Sequence, residues 1–165
     1  MYSGILVDTD TFVTKTGVRT FEAASFLKRS GADVTRVRKM FRTDLDAYKH
    51  KVEGVENAEL FMDNYAIGIL PAEGVDSPTV MAAQIANELL DVDGVKASFM
   101  LTKVKDTVYV SARSIDEVNV QVIMERLGGG GHASVAGAQL QDCTAEEAKQ
   151  KLEDLLKTMI AEGDI

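Results

Sequence analysis

The 165-residue sequence contains one cysteine, Cys143, so no internal disulfide can form and a reducing compartment is expected. Cys143 stands beside Thr144 at an expected helix start with no histidine nearby in sequence, a setting for packing rather than catalysis. Histidine is scarce too. His50 and His132 are the two in the chain, and neither lies in a cluster with metal-ligand spacing. No apolar run is long enough to span a bilayer, no signal peptide is recognisable, and no internal repeat or low-complexity segment is apparent. Basic residues are in the minority, 18 against 26 acidic, for a net charge of −8. That balance disfavours a sequence-independent grip on long nucleic acid, where neutralising phosphates supplies most of the affinity. A small anionic ligand held by a few local donors is compatible with it.

Glycine, in contrast, is concentrated. Gly128, Gly129, Gly130 and Gly131 are consecutive and lead into His132-Ala133-Ser134-Val135-Ala136-Gly137. Each glycine loses more backbone freedom on folding than any other residue, so such a run marks close approach of the backbone to something, or positive φ. A plain helix-to-strand connection would account for some glycine. The small residues after His132 and the further Gly137 imply tightly packed backbone instead. Bare amides with an imidazole at the edge suit an anionic group such as phosphate.

Taken in order, Met1 runs directly into apolar sequence without a polar lead-in, which reads as a piece of a larger protein. Ile5-Leu6-Val7 is expected to end a buried element that presents Asp8 at its edge. Asp8 and Asp10 then share a polar turn; such carboxylates can ligate a hard cation, or simply solvate the turn. Thr20 to Arg29 forms a short amphipathic helix stopping near Gly31. Asp33 is an N-cap, and Val34, Val37, Phe41, Leu45, Tyr48 and Val52 predict one longer helix with a basic face of Arg36, Arg38, Lys39 and Arg42. His50 near its end reads as surface.

Beyond Leu60 strands and helices alternate. Tyr65–Leu70 is a strand stopped by Pro71, and Ser77-Pro78 opens a helix through Met81, Ile85, Ala86, Leu89 and Leu90. Val95, Ala97, Phe99 and Leu101 alternate with Lys96, Ser98, Met100 and Thr102, the pattern of a half-buried strand, hairpinned through Lys105-Asp106 to Val108–Ala112. At that strand's end, Arg113 offers a planar fork of donors and its flanking serines, Ser111 and Ser114, offer hydroxyls. Asn119 begins a helix with Val120, Ile123, Met124 and Leu127 inward, feeding the glycine run. Ala136–Leu140 is a further strand. Thr144-Ala145-Glu146-Glu147 is a capping box for a last helix with Leu152, Leu155, Met159 and Ile160 inward.

Gly129 to Gly137 resembles the GGGHxxAAG motif of the domain that accompanies the DHH catalytic domain in phosphoesterases, with Val135 in place of the usual alanine. Thr16-Gly17-Val18-Arg19-Thr20-Phe21-Glu22-Ala23-Ala24 and Asn119-Val120-Gln121-Val122-Ile123-Met124-Glu125 resemble the GdpP-type cyclic-di-AMP phosphodiesterases of bacteria. The resemblance covers nearly the whole chain. It implies a manganese-dependent hydrolase that cleaves cyclic-di-AMP to the linear dinucleotide pApA with two metal ions. Of the family's metal motifs, the aspartate-threonine pair is represented, by Asp8-Thr9; the earlier aspartate pair and the Asp-His-His triplet are absent. The resemblance makes Asp8 a metal ligand of the intact protein and Arg113, Gly129, Gly130, Gly131 and His132 phosphate contacts, with Ser111 and Asn119 as further substrate contacts.

The architecture so implied is α/β: a mixed sheet flanked by helices. Residues 1–32 would be the end of the DHH domain, 33–59 a helical connector, and 60–165 the DHH-associated substrate-binding domain. Expected partners are a cyclic dinucleotide and the missing DHH domain, with a homodimer left open and no direct membrane contact by this segment. The location would be cytoplasmic, as part of a membrane-anchored bacterial protein, and the segment alone would be inactive. Two alternatives stand beside this reading. One is a short-RNA or single-strand exonuclease of the nanoRNase and RecJ type. The other is a non-catalytic nucleic-acid-binding module, which would call for a larger basic face than Arg36 to Arg42.

Overall fold

Helix boundaries here have local chemical causes. Asp33 Oδ1 accepts the Arg36 amide at 3.0 Å, satisfying a helix-start donor. Thr144 and Glu147 exchange reciprocal bonds of 3.1 and 2.8 Å, the predicted capping box. The computed structural model describes residues 1–13 and 15–165. It divides into two units, Met1–Asp44 and Leu45–Ile165.

The first unit is helical: α1 Tyr2–Asp8, α2 Val18–Arg29 and α3 Val34–Met40. The expected buried element at Ile5-Leu6-Val7 is instead a helix with no buried residue, and Val7 is 65% exposed. Asp10, Thr11 and Phe12 after it all take positive φ, with the Thr9 hydroxyl accepting the Phe12 amide at 3.0 Å. The single helix expected from Val34 to Val52 is two, because α3 stops at Met40 and α4 runs from Leu45 to Glu56. Phe41, Leu45, Tyr48 and Val52, the apolar positions that predicted continuity, are all exposed. An apolar stripe sustains a helix through packing, and this one packs on too little to do so. The division between units, at Asp44 and Leu45, falls inside the expected connector.

The second unit is a mixed sheet with helices on both faces, as the sequence implied. Its strands are β1 Glu59–Phe61, β2 Tyr65–Ile69, β3 Ala97–Val104, β4 Thr107–Ser114, β5 Gly130–His132 and β6 Val135–Gln141, in the order β1-β2-β3-β4-β6-β5. The β2–β3 pair is parallel and the others antiparallel. Helix α5, Pro78–Leu89, makes the crossover between the parallel strands and packs Ala82, Ile85 and Ala86 on Ala66, Leu70 and Met100. Helices α6, Val120–Arg126, and α7, Ala145–Glu162, cover the other face. There Ile123, Met124, Leu152, Leu156 and Met159 meet Phe99, Leu101, Val108 and Val110.

One expectation changes here. Strand β3 is buried on both faces from Ala97 to Thr102, because α5 covers the face its alternating residues assigned to solvent. Ser98 is accommodated by donating to the Ala86 carbonyl. In α7 Leu156 is fully buried, and Leu155 and Ile160 pack partly buried against the same core. The short edge strands β1 and β5 were not expected at all.

Thr102 is fully buried, and its hydroxyl finds no partner. Leaving a hydroxyl buried and unpaired costs about 1–3 kcal/mol. Thr102→Val keeps the shape and removes that group, so it should raise stability by about 1 kcal/mol in urea unfolding; a loss of stability would mean that the hydroxyl is satisfied.

Candidate functional site

Helix α5 lies over β3 and the adjoining side of β4 and leaves β6 and β5 of the same sheet face open, so a groove forms where β4 emerges from beneath it. Directly opposed residues of antiparallel strands place their side chains on one face, so the register defines rows across this open half. One row holds Arg113, Val135 and His132; the next holds Ser111, Gly137 and Gly130; a third holds Tyr109 and Gln139. The second and third rows, with Thr79 of α5, Gly128 and Gly129, line an open groove of about 530 Å³. That volume is within the range of small-molecule sites. Ser111 therefore faces the groove, whereas Ser114 points to the buried face.

The four glycines have four different situations. Gly128, at φ 82°, ends α6: its amide bonds the Glu125 carbonyl at 3.0 Å, and the Gly129 amide bonds Met124 at 2.8 Å. This is a Schellman closure, with glycine where left-handed backbone is needed. Both of those amides are spoken for by α6 and are not donors to a ligand. Gly129 lies so close to β6 that a Cβ would stand 2.1 Å from the Gly137 carbonyl oxygen and 2.6 Å from Ala138 Cα. Gly131, at φ 149°, is similarly constrained, because a Cβ there would stand 2.5 Å from Ala136 Cα. Gly130 differs. Its φ is ordinary and a Cβ there would meet open space at the groove.

The turn after His132 is pinned. The Ser134 carbonyl accepts the Ser114 amide at 3.0 Å, and the Ala133 carbonyl accepts the Val120 amide at 2.9 Å. The Ser114 hydroxyl donates to Val118 O at 2.6 Å, with Ala133 O at 3.3 Å. Thus Ser114, read from sequence as a possible ligand contact, supports the loop from beneath. His132 itself is exposed.

Arg113 is partly buried. Its Nε donates to Asn87 Oδ1 and its Nη1 to the Ala112 carbonyl, both at 2.9 Å. Both partners are neutral, and burial pushes the guanidinium pKa below its ordinary value. A desolvated cation held in place by neutral groups is poised for an anion. Asn119 caps α6, its Oδ1 accepting the Gln121 amide at 3.1 Å, and it is not among the groove residues. Asp8 lies in the first unit, exposed at the end of α1, beside a shallow pocket lined by Ile5, Phe26 and Leu27. Among the described residues no group of three or more His, Cys, Asp or Glu could hold a metal ion.

Tyr109, Gln139 and Asn87 went unnoticed in the sequence. Period-two alternation from Arg113 and Ser111 leads to Tyr109, and that signal was available; Gln139 and Asn87 depend on strand register and helix placement, which no local pattern carries.

Residues 64–162 match the DHHA1 domain family. The chain belongs to that family. It is 46% identical over 160 residues to the cyclic-di-AMP phosphodiesterase GdpP of Geobacillus thermodenitrificans, covering 94% of this chain and 24% of that protein. It is 44% identical over 153 residues to the cyclic-di-AMP phosphodiesterase PdeA of Listeria monocytogenes, covering 92% and 23%. The chain thus spans about a quarter of the length of these relatives. The fold is also that of an exopolyphosphatase-related protein from Bacteroides fragilis, with a TM-score of 0.81 at 20% identity over 94% of this chain and 48% of that one. The predicted resemblance to GdpP-type enzymes and the mixed α/β architecture both hold.

The glycine geometry gives a sharp expectation for this DHHA1 domain. Gly129→Ala should destabilise it by more than about 2 kcal/mol, because backbone must move to admit the methyl. Gly130→Ala should be neutral or stabilising by about 0.5 kcal/mol through the unfolded state. Paired thermal melts check this, and equal losses at the two positions would contradict the assigned geometry.

Proposed function

We propose that this chain is the substrate-holding portion of a cyclic-di-AMP phosphodiesterase, binding the dinucleotide by a phosphate at the Arg113 and His132 row. The observation that carries the reading is Arg113, a desolvated guanidinium whose partners among the described residues are neutral, in register with His132 on an open sheet face. Although acidic residues outnumber basic ones in the chain, no carboxylate among the described residues lines the groove. Arg113 retains donors beyond those given to Asn87 and Ala112, and the His132 imidazole adds an N–H donor. Ser111 and the Gly130 backbone form the adjoining floor, where a phosphate or ribose can come close without steric hindrance.

In this reading hydrolysis to pApA belongs to the intact protein. Manganese would there activate water and neutralise charge on the scissile phosphate. Asp8 alone does not make a two-metal donor set, so the remaining ligands would come from the rest of the DHH domain, of which residues 1–32 would be the end, with residues 33–59 a connector. The segment by itself would then bind and not cleave. Membrane anchoring and a cytoplasmic site of action belong to the same proposal; among the described residues no helix is long and apolar enough to cross a membrane.

Calorimetric titration with cyclic-di-AMP tests the reading. A charge-assisted hydrogen bond contributes about 1.5–3 kcal/mol, so Arg113→Met and His132→Ala should each weaken binding at least roughly tenfold. Arg113→Met should cost less than about 1 kcal/mol of stability, since losing two hydrogen bonds is offset by removing a desolvated charge. Tight binding of a short RNA, indifferent to both substitutions, would overturn the assignment.

A further inference from the structure

The sheet face changes character across the groove. Arg113 and His132 form the row just outside its lining on one side, while two rows away its floor is Tyr109 beside Gln139, with Thr79 on the α5 wall. No residue lining that far part carries a charge. A second phosphate there would meet no cation. What the far part offers is an aromatic ring, a carboxamide and a hydroxyl. Among the described residues none forms a hydrogen bond with the side chains of Tyr109 or Gln139.

We propose that Tyr109 and Gln139 form a nucleobase subsite that selects adenine, Tyr109 by stacking and Gln139 by reading the base edge. The inference rests on the phosphate-holding reading of Arg113 and His132. Tyr109 lies four positions before Arg113 on β4, roughly 13 Å at about 3.3 Å per residue, and on the same sheet face, so the two side chains can lean toward the base and the phosphate of one nucleotide. A tyrosine ring on a sheet is a stacking platform that accepts any base. Selection comes from Gln139. Its carboxamide presents one donor and one acceptor, the complement of adenine N7 and N6. Guanine presents two acceptors at O6 and N7, which call for arginine or lysine, and none lines this part of the groove. The discrimination lies as much in the missing cation as in the amide.

The test is NMR titration of the 165-residue chain with AMP, GMP and ribose 5-phosphate, beside Tyr109→Ala and Gln139→Leu. AMP should shift the Tyr109 ring and Gln139 side-chain resonances together with the Gly130–His132 amides, and ribose 5-phosphate should shift the latter group alone. AMP should bind roughly tenfold more tightly than GMP. Gln139→Leu should bring that ratio close to one, and Tyr109→Ala should weaken both nucleotides about tenfold. If AMP moves Gly130–His132 but leaves Tyr109 and Gln139 unmoved, or binds no better than GMP, the base subsite is overturned while the phosphate reading stands. If neither ligand moves Gly130–His132, the phosphate reading fails and this inference with it.

Discussion

The site depends on two stretches of bare backbone lying against each other. Gly129 and Gly131 approach β6 so closely that the Gly137 carbonyl and Ala136 Cα occupy space any side chain would need. That contact lets three residues, Gly130–His132, form an edge strand of their own. Without it the end of α6 would stand off from the sheet, and His132 would not come into register with Arg113. The Schellman closure at Gly128 aims the chain toward β6. Ser114 and Val120 then hold the far side of the loop by its carbonyls. Between these two fixings the Gly130 position is left with neither steric nor conformational demand, which makes its small size intelligible as room for something else.

Electrostatics follows from that geometry. In a chain with net charge −8, an isolated cation would ordinarily acquire a carboxylate partner, as Lys149 does with Glu59 and Arg126 with Glu162. Arg113 is given Asn87 instead, at the C-terminal end of α5. A neutral partner fixes the guanidinium plane without cancelling its charge. The arrangement costs folding free energy through desolvation, and it keeps an unneutralised positive charge in a chain of net charge −8. Ion pairing would have been more stable and useless to an anion.

Legibility in the sequence tracked how local each cause was. The hairpin at Lys105-Asp106, the Ser77-Pro78 start, the Thr144 capping box and the Asn119 cap were readable because neighbouring residues determine them. The glycine run announced close packing, and its Schellman and close-approach roles are the detail behind that signal. Period reading failed where tertiary cover decided the outcome. Strand β3 alternates like a half-exposed strand, yet α5 buries its second face. The stripe from Val34 to Val52 keeps helical spacing across a break, because spacing records a shared face and says nothing of whether that face is covered. Strand β5 was invisible for a related reason: glycine has no strand propensity, and pairing with β6 alone makes it a strand.

The groove itself arises from a gradient in side-chain size along one row of the sheet. Reading across from the covered side, the row runs Gly68, Met100, Ser111, Gly137, Gly130. Gly68 leaves room for Met100, whose sulfur would lie 2.7 Å from a Cβ there, so the bulk under α5 concentrates in the methionine. Past it the row shrinks to a hydroxymethyl and then to nothing. The same sheet face is thus core where α5 sits and floor where it does not, with no change of secondary structure between them. Depth is created by withholding side chains, and in the proposed reading recognition falls to the rows on either side of the cleared strip, Arg113 with His132 and Tyr109 with Gln139.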